Sequence, residues 1–165
     1  MMQEKIFDFF ASFGFSPKIL ILLLGALPVT ELRASIPIGI LVLKQTAKAA
    51  FFFSVLGNIL PIAPVYFLLN PVSKKLSNTR FMRRFFEWLF KRARAHAGIV
   101  EKYEAIGLML FVAVPLPGTG VWTGAIIASL LRMRFAPTFI AASAGVIIAA
   151  VIVTALTLFG KSTFM

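Results

Sequence analysis

Two ionisable residues, Glu31 and Arg33, interrupt one of the most apolar stretches of the sequence, with apolar runs at 19–29 and 36–43 on either side. At membrane depth an ionisable group costs at least about 2.5–3.5 kcal/mol, so it is seldom kept without a partner or a role. Burial favours the neutral acid, so Glu31 could take up and release a proton. The planar guanidinium of Arg33 suits a phosphate or a carboxylate. The alternatives are that the two residues pair with each other or lie in interfacial water.

A second group of residues that could bind a ligand lies at 115–123. Glycines allow the backbone to approach a ligand closely, and exposed backbone N–H groups at the start of a helix can bind an anion. A tight turn that only allows close helix packing is the alternative. The residues that we predict for the substrate and proton site are Glu31, Arg33, Pro37, Pro115, Pro117, Gly118, Thr119, Gly120 and Thr123.

The sequence contains few residues or motifs that are suited to metal binding or catalysis. There is no cysteine and the only histidine is His96, so we expect no metal site. We find no paired carboxylates, nucleophile elbow or phosphate-binding loop of the Walker type. We therefore expect neither an enzyme nor a cofactor.

The composition predicts an integral membrane protein. Apolar residues make up 59% of the 165 residues and charged residues 14%, against roughly 25% charged residues in soluble domains. So small a chain cannot hide that much apolar surface from water. The net charge of +11 then indicates positive cytoplasmic loops and anionic lipid head groups as partners. Nucleic acid is not expected, because the basic residues do not lie on a soluble module.

The residues around Glu31 and Arg33 fit two arrangements. The 11-residue arm at 19–29 would reach roughly 16 Å into a hydrocarbon core of ~30 Å. The segment 19–43 is therefore either a re-entrant hairpin or one long tilted span. Pro28 and Pro37 disfavour a continuous helix, so we favour the hairpin. An uncharged span follows at 49–69, and its two prolines should kink it.

The second half of the chain repeats this plan, with a hairpin at 105–131 and a span at 139–160. A shift of 87–88 residues places Pro28 on Pro115 and Gly57 on Gly145. If each hairpin enters and leaves on one side, the repeats 19–69 and 105–160 are inverted, as in many secondary transporters. The two polar tips would then face each other from opposite leaflets.

Two further segments read as amphipathic helices at the membrane surface. One is 3–15, and the other lies within 70–104, where nine Lys and Arg accompany three Glu. The charge of 70–104 predicts that it is cytoplasmic. Lys44 and Lys48 fit this orientation poorly, since they would lie outside. Within the first span, Asn58 is expected to form an interhelical hydrogen bond, and Arg132 and Arg134 are expected to set topology.

We therefore predict one all-α integral membrane domain, 1–165, with two inverted repeats. Each repeat contains a re-entrant helical hairpin and one transmembrane helix, and amphipathic interfacial helices complete the fold. The stretches ELRASIPIG at 31–39, EKYEAIG at 101–107 and FVAVPLPGTGVWTGA at 111–125 resemble the small multidrug export protein family. That family is thought to be related to the DedA-type (VTT or SNARE-associated) membrane proteins.

The DedA resemblance implies a proton-linked transporter in a prokaryotic-type plasma (inner) membrane. Its members are implicated in moving undecaprenyl phosphate or phospholipids between leaflets. Glu31 occupies the place of the DedA hairpin glutamate. DedA proteins carry an arginine three residues before and three after the second-hairpin proline, where this chain has Val112 and Gly118. Arg33 and backbone amides would then have to hold the phosphate.

The favoured function is a lipid flippase or scramblase for a lipid phosphate or a similar anionic amphiphile. The first alternative is a small multidrug exporter, in which a small cationic compound and a proton compete for Glu31. The second is a membrane-organising protein that transports nothing. Two spans and two hairpins would form only a thin wall around a site at the membrane midplane, and a homodimer would thicken that wall.

Overall fold

A computed structural model describes residues 16–68, 104–116 and 119–164, together with the helical positions Arg84, Glu87 and Lys91. The described residues are helices joined by short turns, with no strand among them, which confirms the all-α prediction for this part of the chain. The predicted helix 3–15 and most of 70–104 lie outside the described residues. The described residues divide into two compact units. One comprises those up to Asn58 and those from Ala149 onwards, and the other comprises Ile59–Ile148.

Two short helices make up the segment that contains the ionisable pair. Helix α1 is Pro17–Ala26, and helix α2 is Glu31–Pro37, which continues as a π-helical turn over Ile38–Val42. The two helices pack against each other. A continuous helix over 19–43 is therefore not formed, and neither helix is long enough to span a bilayer.

Prolines account for the end of α1 and for the change from α-helical to π-helical geometry after α2. Leu27 ends α1 in an extended conformation, with φ −78° and ψ 141°, because a residue before proline avoids the α region. Pro37 lies inside a helix and has no N–H to donate. From Ile38 onwards the backbone makes a π-type bond, the Leu43 N–H donating to the Ile38 carbonyl at 2.9 Å.

The first candidate span is Ala47–Leu68, 22 residues long. It consists of helix α3, Ala47–Ile59, a turn at 60–61, and helix α4, 62–68. Thr46 caps its start, because the Ala49 N–H donates to the Thr46 hydroxyl oxygen at 3.2 Å. Since Pro61 lies in the interruption, the expected break in this span is present.

Three helices follow in the second part of the described chain. Helix α5 is Glu104–Ala113, helix α6 is Val121–Leu130, and helix α7 is Phe135–Phe164. Helix α7 provides the second candidate span, Phe135–Thr163, which extends beyond the predicted 139–160 at both ends. At 1.5 Å per residue, α7 is about 45 Å long, which exceeds the hydrocarbon core.

Glycines bring α1 and α3 into backbone contact in the first unit. A methyl group on Gly25 would lie 2.9 Å from the Ser54 carbonyl oxygen, and one on Gly57 would overlap the Leu22 carbonyl oxygen. Small residues allow this approach, which is the usual way in which apolar helices associate when water does not drive them together.

A glycine has the same role in the second unit. A methyl group on Gly145 of α7 would lie 2.6 Å from the Met109 carbonyl oxygen and 2.8 Å from the Val112 side chain on α5. Gly145 therefore sets the distance between these two helices.

Large apolar side chains cover the outside of the helices. Val29 is 79% exposed, Phe159 71% and Ile140 69%, and many other large apolar residues of the described part are similarly accessible. A surface of this extent is costly in water and favourable in lipid.

We expect Gly57→Ala to lower the free energy of unfolding by about 1–3 kcal/mol, because the added methyl group must push two backbones apart. Gly160→Ala is the control, since a methyl group there meets nothing within 4 Å. Unfolding of the purified protein in detergent measures both. Equal stability of the two variants would contradict the close approach of α1 and α3.

Candidate functional site

The turn between α1 and α2 positions Glu31. The Thr30 hydroxyl donates to the Leu24 carbonyl, and the Glu31 N–H donates to the Leu27 carbonyl at 3.1 Å. These bonds fold the chain back directly after the extended Leu27. Glu31 itself has φ +47°, a left-handed conformation that costs a residue other than glycine about 1–3 kcal/mol. Such strain is typical of functional sites, and here it occurs at the buried carboxylate.

Glu31 and Arg33 form an ion pair. One guanidinium nitrogen of Arg33, Nη1, donates to Glu31 Oε2 at 2.6 Å. The Glu31 side chain is 7% exposed and the Arg33 side chain 21%. The carboxylate is therefore the buried partner, and the guanidinium is the partner that an approaching molecule meets first.

The helix that begins at Glu31 also favours its negative charge. Glu31 lies in the first turn of α2, where the helix dipole is positive. The pair is thus stabilised locally, by residues two apart on one short helix. The sequence left open whether these groups pair or lie in water, and the structure pairs them.

Buried polar contacts surround the same part of the first unit. Ser35 of α2 donates a hydrogen bond to Ser54 of α3 at 2.7 Å, and both residues are fully buried. Asn58 of α3 is 1% exposed and its Nδ2 donates to the Gly25 carbonyl at 2.9 Å, which confirms the predicted interhelical bond.

Sequence reasoning did not select Ser35 or Ser54. A signal was present, because Ser54 precedes Asn58 by four residues and both therefore lie on one face of α3. Pro37 was predicted for the site. It lies at the end of α2 and converts the following turn to π geometry, so its role in the structure is to shape the helix.

The second predicted group is partly described. Pro117 and Gly118 lie outside the described residues, whereas Pro115, Thr119, Gly120 and Thr123 are within them. The Thr119 hydroxyl lies 2.6 Å from the Val114 carbonyl oxygen and 3.0 Å from that of Leu116. It therefore connects the residue before Gly120 to the residues that follow α5.

Gly120 and Thr123 are both buried at the start of α6, and Thr123 is only 3% exposed. Gly120 has φ 169°, which is extended backbone that any residue can adopt. The two predicted groups fall in different compact units, Glu31, Arg33 and Pro37 in the first and 115–123 in the second. That the two groups face each other stays a prediction. Among the described residues, no three His, Cys, Asp or Glu could hold a metal ion together.

Two long apolar helices, a lipid-compatible surface and an ion pair beside a helix break define a helical membrane protein. The chain belongs to the family described as "Putative small multi-drug export protein", whose model matches residues 31–152. The match begins at Glu31 and includes Arg33, residues 115–120 and most of α7, and it confirms the family resemblance. No curated protein and no solved structure matches the chain.

We expect the Glu31–Arg33 pair to be energetically coupled. Arg33→Gln alone should lower the free energy of unfolding more than Glu31→Gln combined with Arg33→Gln, because the single change leaves a buried carboxylate without its cation. A double-mutant cycle in detergent should give a coupling of roughly 0.5–3 kcal/mol. The exposed Lys48→Gln serves as a control within about 0.5 kcal/mol of the unmodified protein. Additive effects of the two single changes would contradict the pairing.

Proposed function

We propose that this protein is a proton-linked membrane transporter whose Glu31–Arg33 pair is the exchange site. The observation that carries the proposal is the ion pair itself, a buried carboxylate held 2.6 Å from a partly exposed guanidinium at a break between two short helices. Ionisable groups at such positions mark substrate and proton pathways in membrane proteins. Membership of an export family is consistent with transport.

The geometry favours an anionic substrate. When Glu31 accepts a proton on its carboxylate, the charge attraction within the ion pair is lost, and the positive charge of Arg33 then attracts a phosphate or carboxylate. Deprotonation restores the pair and displaces the anion. Proton uptake and anion binding are therefore linked through the Glu31 side chain. The protonated and deprotonated states differ in whether the Glu31–Arg33 ion pair is present.

The substrate that we propose is a lipid phosphate or a similar anionic amphiphile, such as a polyprenyl phosphate. Its head group would bind Arg33, and its chain would lie along the exposed apolar side chains of the described helices. The DedA resemblance suggests the same class of substrate, and it suggests a prokaryotic-type plasma membrane with segment 70–104 on the cytoplasmic side.

We further propose that the two halves are inverted repeats with re-entrant hairpins. Two contacts support the repeat. Gly57 contacts the Leu22 carbonyl in the first unit, and Gly145 contacts the Met109 carbonyl in the second. The glycines are 88 residues apart and their partners 87, the shift found in the sequence.

The basic residues that follow α6 and the π-helical turn after α2 also share a backbone conformation. Lys44 and Arg132, again 88 residues apart, each follow a leucine at a helix end. Their φ angles are 51° and 52°. A left-handed residue is a common helix terminator, although glycine usually provides it. Two basic residues in this unusual position support a common origin of the halves.

Export of small cationic compounds is the second candidate, and the family description is the observation that favours it. In that case a cationic compound would displace Arg33 and bind Glu31. Both candidate functions need the Glu31 carboxylate, and they differ in the role of Arg33. Arg33 would bind an anionic substrate directly, whereas it would compete with a cationic substrate for Glu31.

In proteoliposomes that contain a polyprenyl phosphate, we expect the unmodified protein to exchange the lipid between leaflets in a pH-dependent manner. Glu31→Gln should remove the pH dependence, because a neutral amide cannot titrate. Arg33→Gln should reduce exchange by about ten-fold or more, since a hydrogen bond to a charged group contributes about 1.5–3 kcal/mol. Lys48→Gln, an exposed lysine of the same unit, should behave as the unmodified protein.

Three other results would each contradict the lipid assignment. Exchange that is insensitive to both variants would exclude the pair as the site. Efflux of a small cation that needs Glu31 and speeds up in Arg33→Gln would favour the exporter. Folded protein that moves neither substrate would favour a membrane-organising role.

The chain has no cysteine, so single-cysteine labelling in membrane vesicles tests the hairpins directly. Ser16→Cys and Lys44→Cys, at exposed positions before α1 and after the π turn, should label from the same side. Glu104→Cys and Arg132→Cys should label together from the opposite side. Labelling of Ser16→Cys and Lys44→Cys from opposite sides would show a single crossing instead of a re-entrant hairpin.

A further inference from the structure

A cavity of about 570 Å³ lies in the second unit, apart from the residues assigned to transport. Its walls are the first turn of α5, the loop 131–134 and the first turn of α7. Among the described residues, three charged side chains line it: Glu104, Arg132 and Arg134. The cavity therefore combines two guanidinium groups with one carboxylate.

These charges are not used within the described structure. All three residues are exposed, and their side chains make no hydrogen bond or ion pair with any residue of 16–68, 104–116 or 119–164. The described part of the lining therefore presents two positive groups from the loop 131–134 and one separate negative group from α5. A ligand that matches this pattern has an anionic group and a cationic group a few bonds apart.

The loop that carries the arginines is held in place by partly buried contacts. The Tyr66 hydroxyl donates to the Met133 carbonyl, and the Ser129 hydroxyl donates to the Tyr66 carbonyl at 2.9 Å. The Tyr66 ring also packs against Phe135, with ring centres 5.3 Å apart. Because Met133 lies between the two arginines, this anchor fixes the backbone on both sides of it.

The cavity lies where the apolar helices begin. Phe135 is the first residue of the longest candidate span, and Arg132 and Arg134 directly precede it. Ile106, 64% exposed, follows Glu104 on α5, and Ile140, 69% exposed, follows on α7. Charged side chains therefore give way to lipid-facing apolar ones within the first two turns of each helix, which is the level of the lipid head groups.

We infer that this cavity binds a phospholipid head group that carries both a phosphate and a primary ammonium group, as in phosphatidylethanolamine. The phosphate lies between the guanidiniums of Arg132 and Arg134, which suit its geometry. The ammonium group donates to the Glu104 carboxylate. The acyl chains lie against the apolar faces that begin at Ile106 and Ile140. Binding here does not depend on transport through Glu31 and Arg33.

Native mass spectrometry of the purified protein in detergent tests this inference. Equal amounts of phosphatidylethanolamine, phosphatidylglycerol and phosphatidylcholine are added, and the lipids that remain bound are counted. We expect preferential retention of phosphatidylethanolamine. Arg132→Gln and Arg134→Gln should each reduce it by about ten-fold, as expected for loss of a charge-assisted hydrogen bond.

Two further variants separate the parts of the site. Glu104→Gln should shift the preference towards phosphatidylglycerol, because the phosphate site remains and the ammonium partner is lost. Lys48→Gln removes one positive charge at an exposed helical position of the first unit and should leave retention unchanged. Arg132→Lys and Arg134→Lys should retain part of the binding, which a merely unfolded variant would not.

Several results would overturn the inference. These are equal retention of the three lipids by the unmodified protein, unchanged retention in both arginine variants, or an equal loss in Lys48→Gln. Displacement of the bound lipid by the same concentration of soluble glycerophosphoethanolamine would show that the cavity takes a soluble phosphate ester. Leaflet exchange is not measured in this experiment, so failure here leaves the proposed transport function standing.

Discussion

A carboxylate that is removed from water needs a cation or several hydrogen-bond donors nearby, and Glu31 finds its cation only two residues away. Residues at positions i and i+2 of a regular helix point in different directions. The pair therefore depends on the irregular start of α2, where Glu31 adopts a left-handed conformation. That start depends in turn on Pro28, which ends α1 and forces the chain to turn back. The ion pair thus depends on the left-handed conformation of Glu31, and that conformation depends on Pro28.

The rest of the first unit keeps this arrangement rigid. Gly25 and Gly57 bring the backbones of α1 and α3 together, and Asn58 bonds to a carbonyl at the last turn of α1. Ser35 and Ser54 connect α2 to the same helix. A turn that has to hold a strained residue is thereby supported from two sides, which is how native structures retain local strain.

The sequence was sufficient to predict the features that follow from composition and from proline. Two apolar spans, a break within 19–43 and the bond made by Asn58 were predictable, because each depends on residue type or on length. The position of the break was not, since it was expected at the polar residues 30–35 and lies at 27–30, directly before α2. The left-handed Glu31, the Ser35–Ser54 bond and the anchoring of the loop by Tyr66 were not. Each of these depends on which helices become neighbours, and a single sequence does not contain that information.

The short helices α1 and α2 also have a consequence for how the chain is made. A segment leaves the insertion machinery for lipid as a unit when it is apolar along a full membrane thickness, and neither helix reaches that length. Each would expose unpaired backbone ends to hydrocarbon if it entered alone. Each helix would therefore enter the bilayer only together with its packing partners, and the glycine contacts make α3 one of them. A chain that ends before α3 would then keep α1 and α2 at the membrane surface.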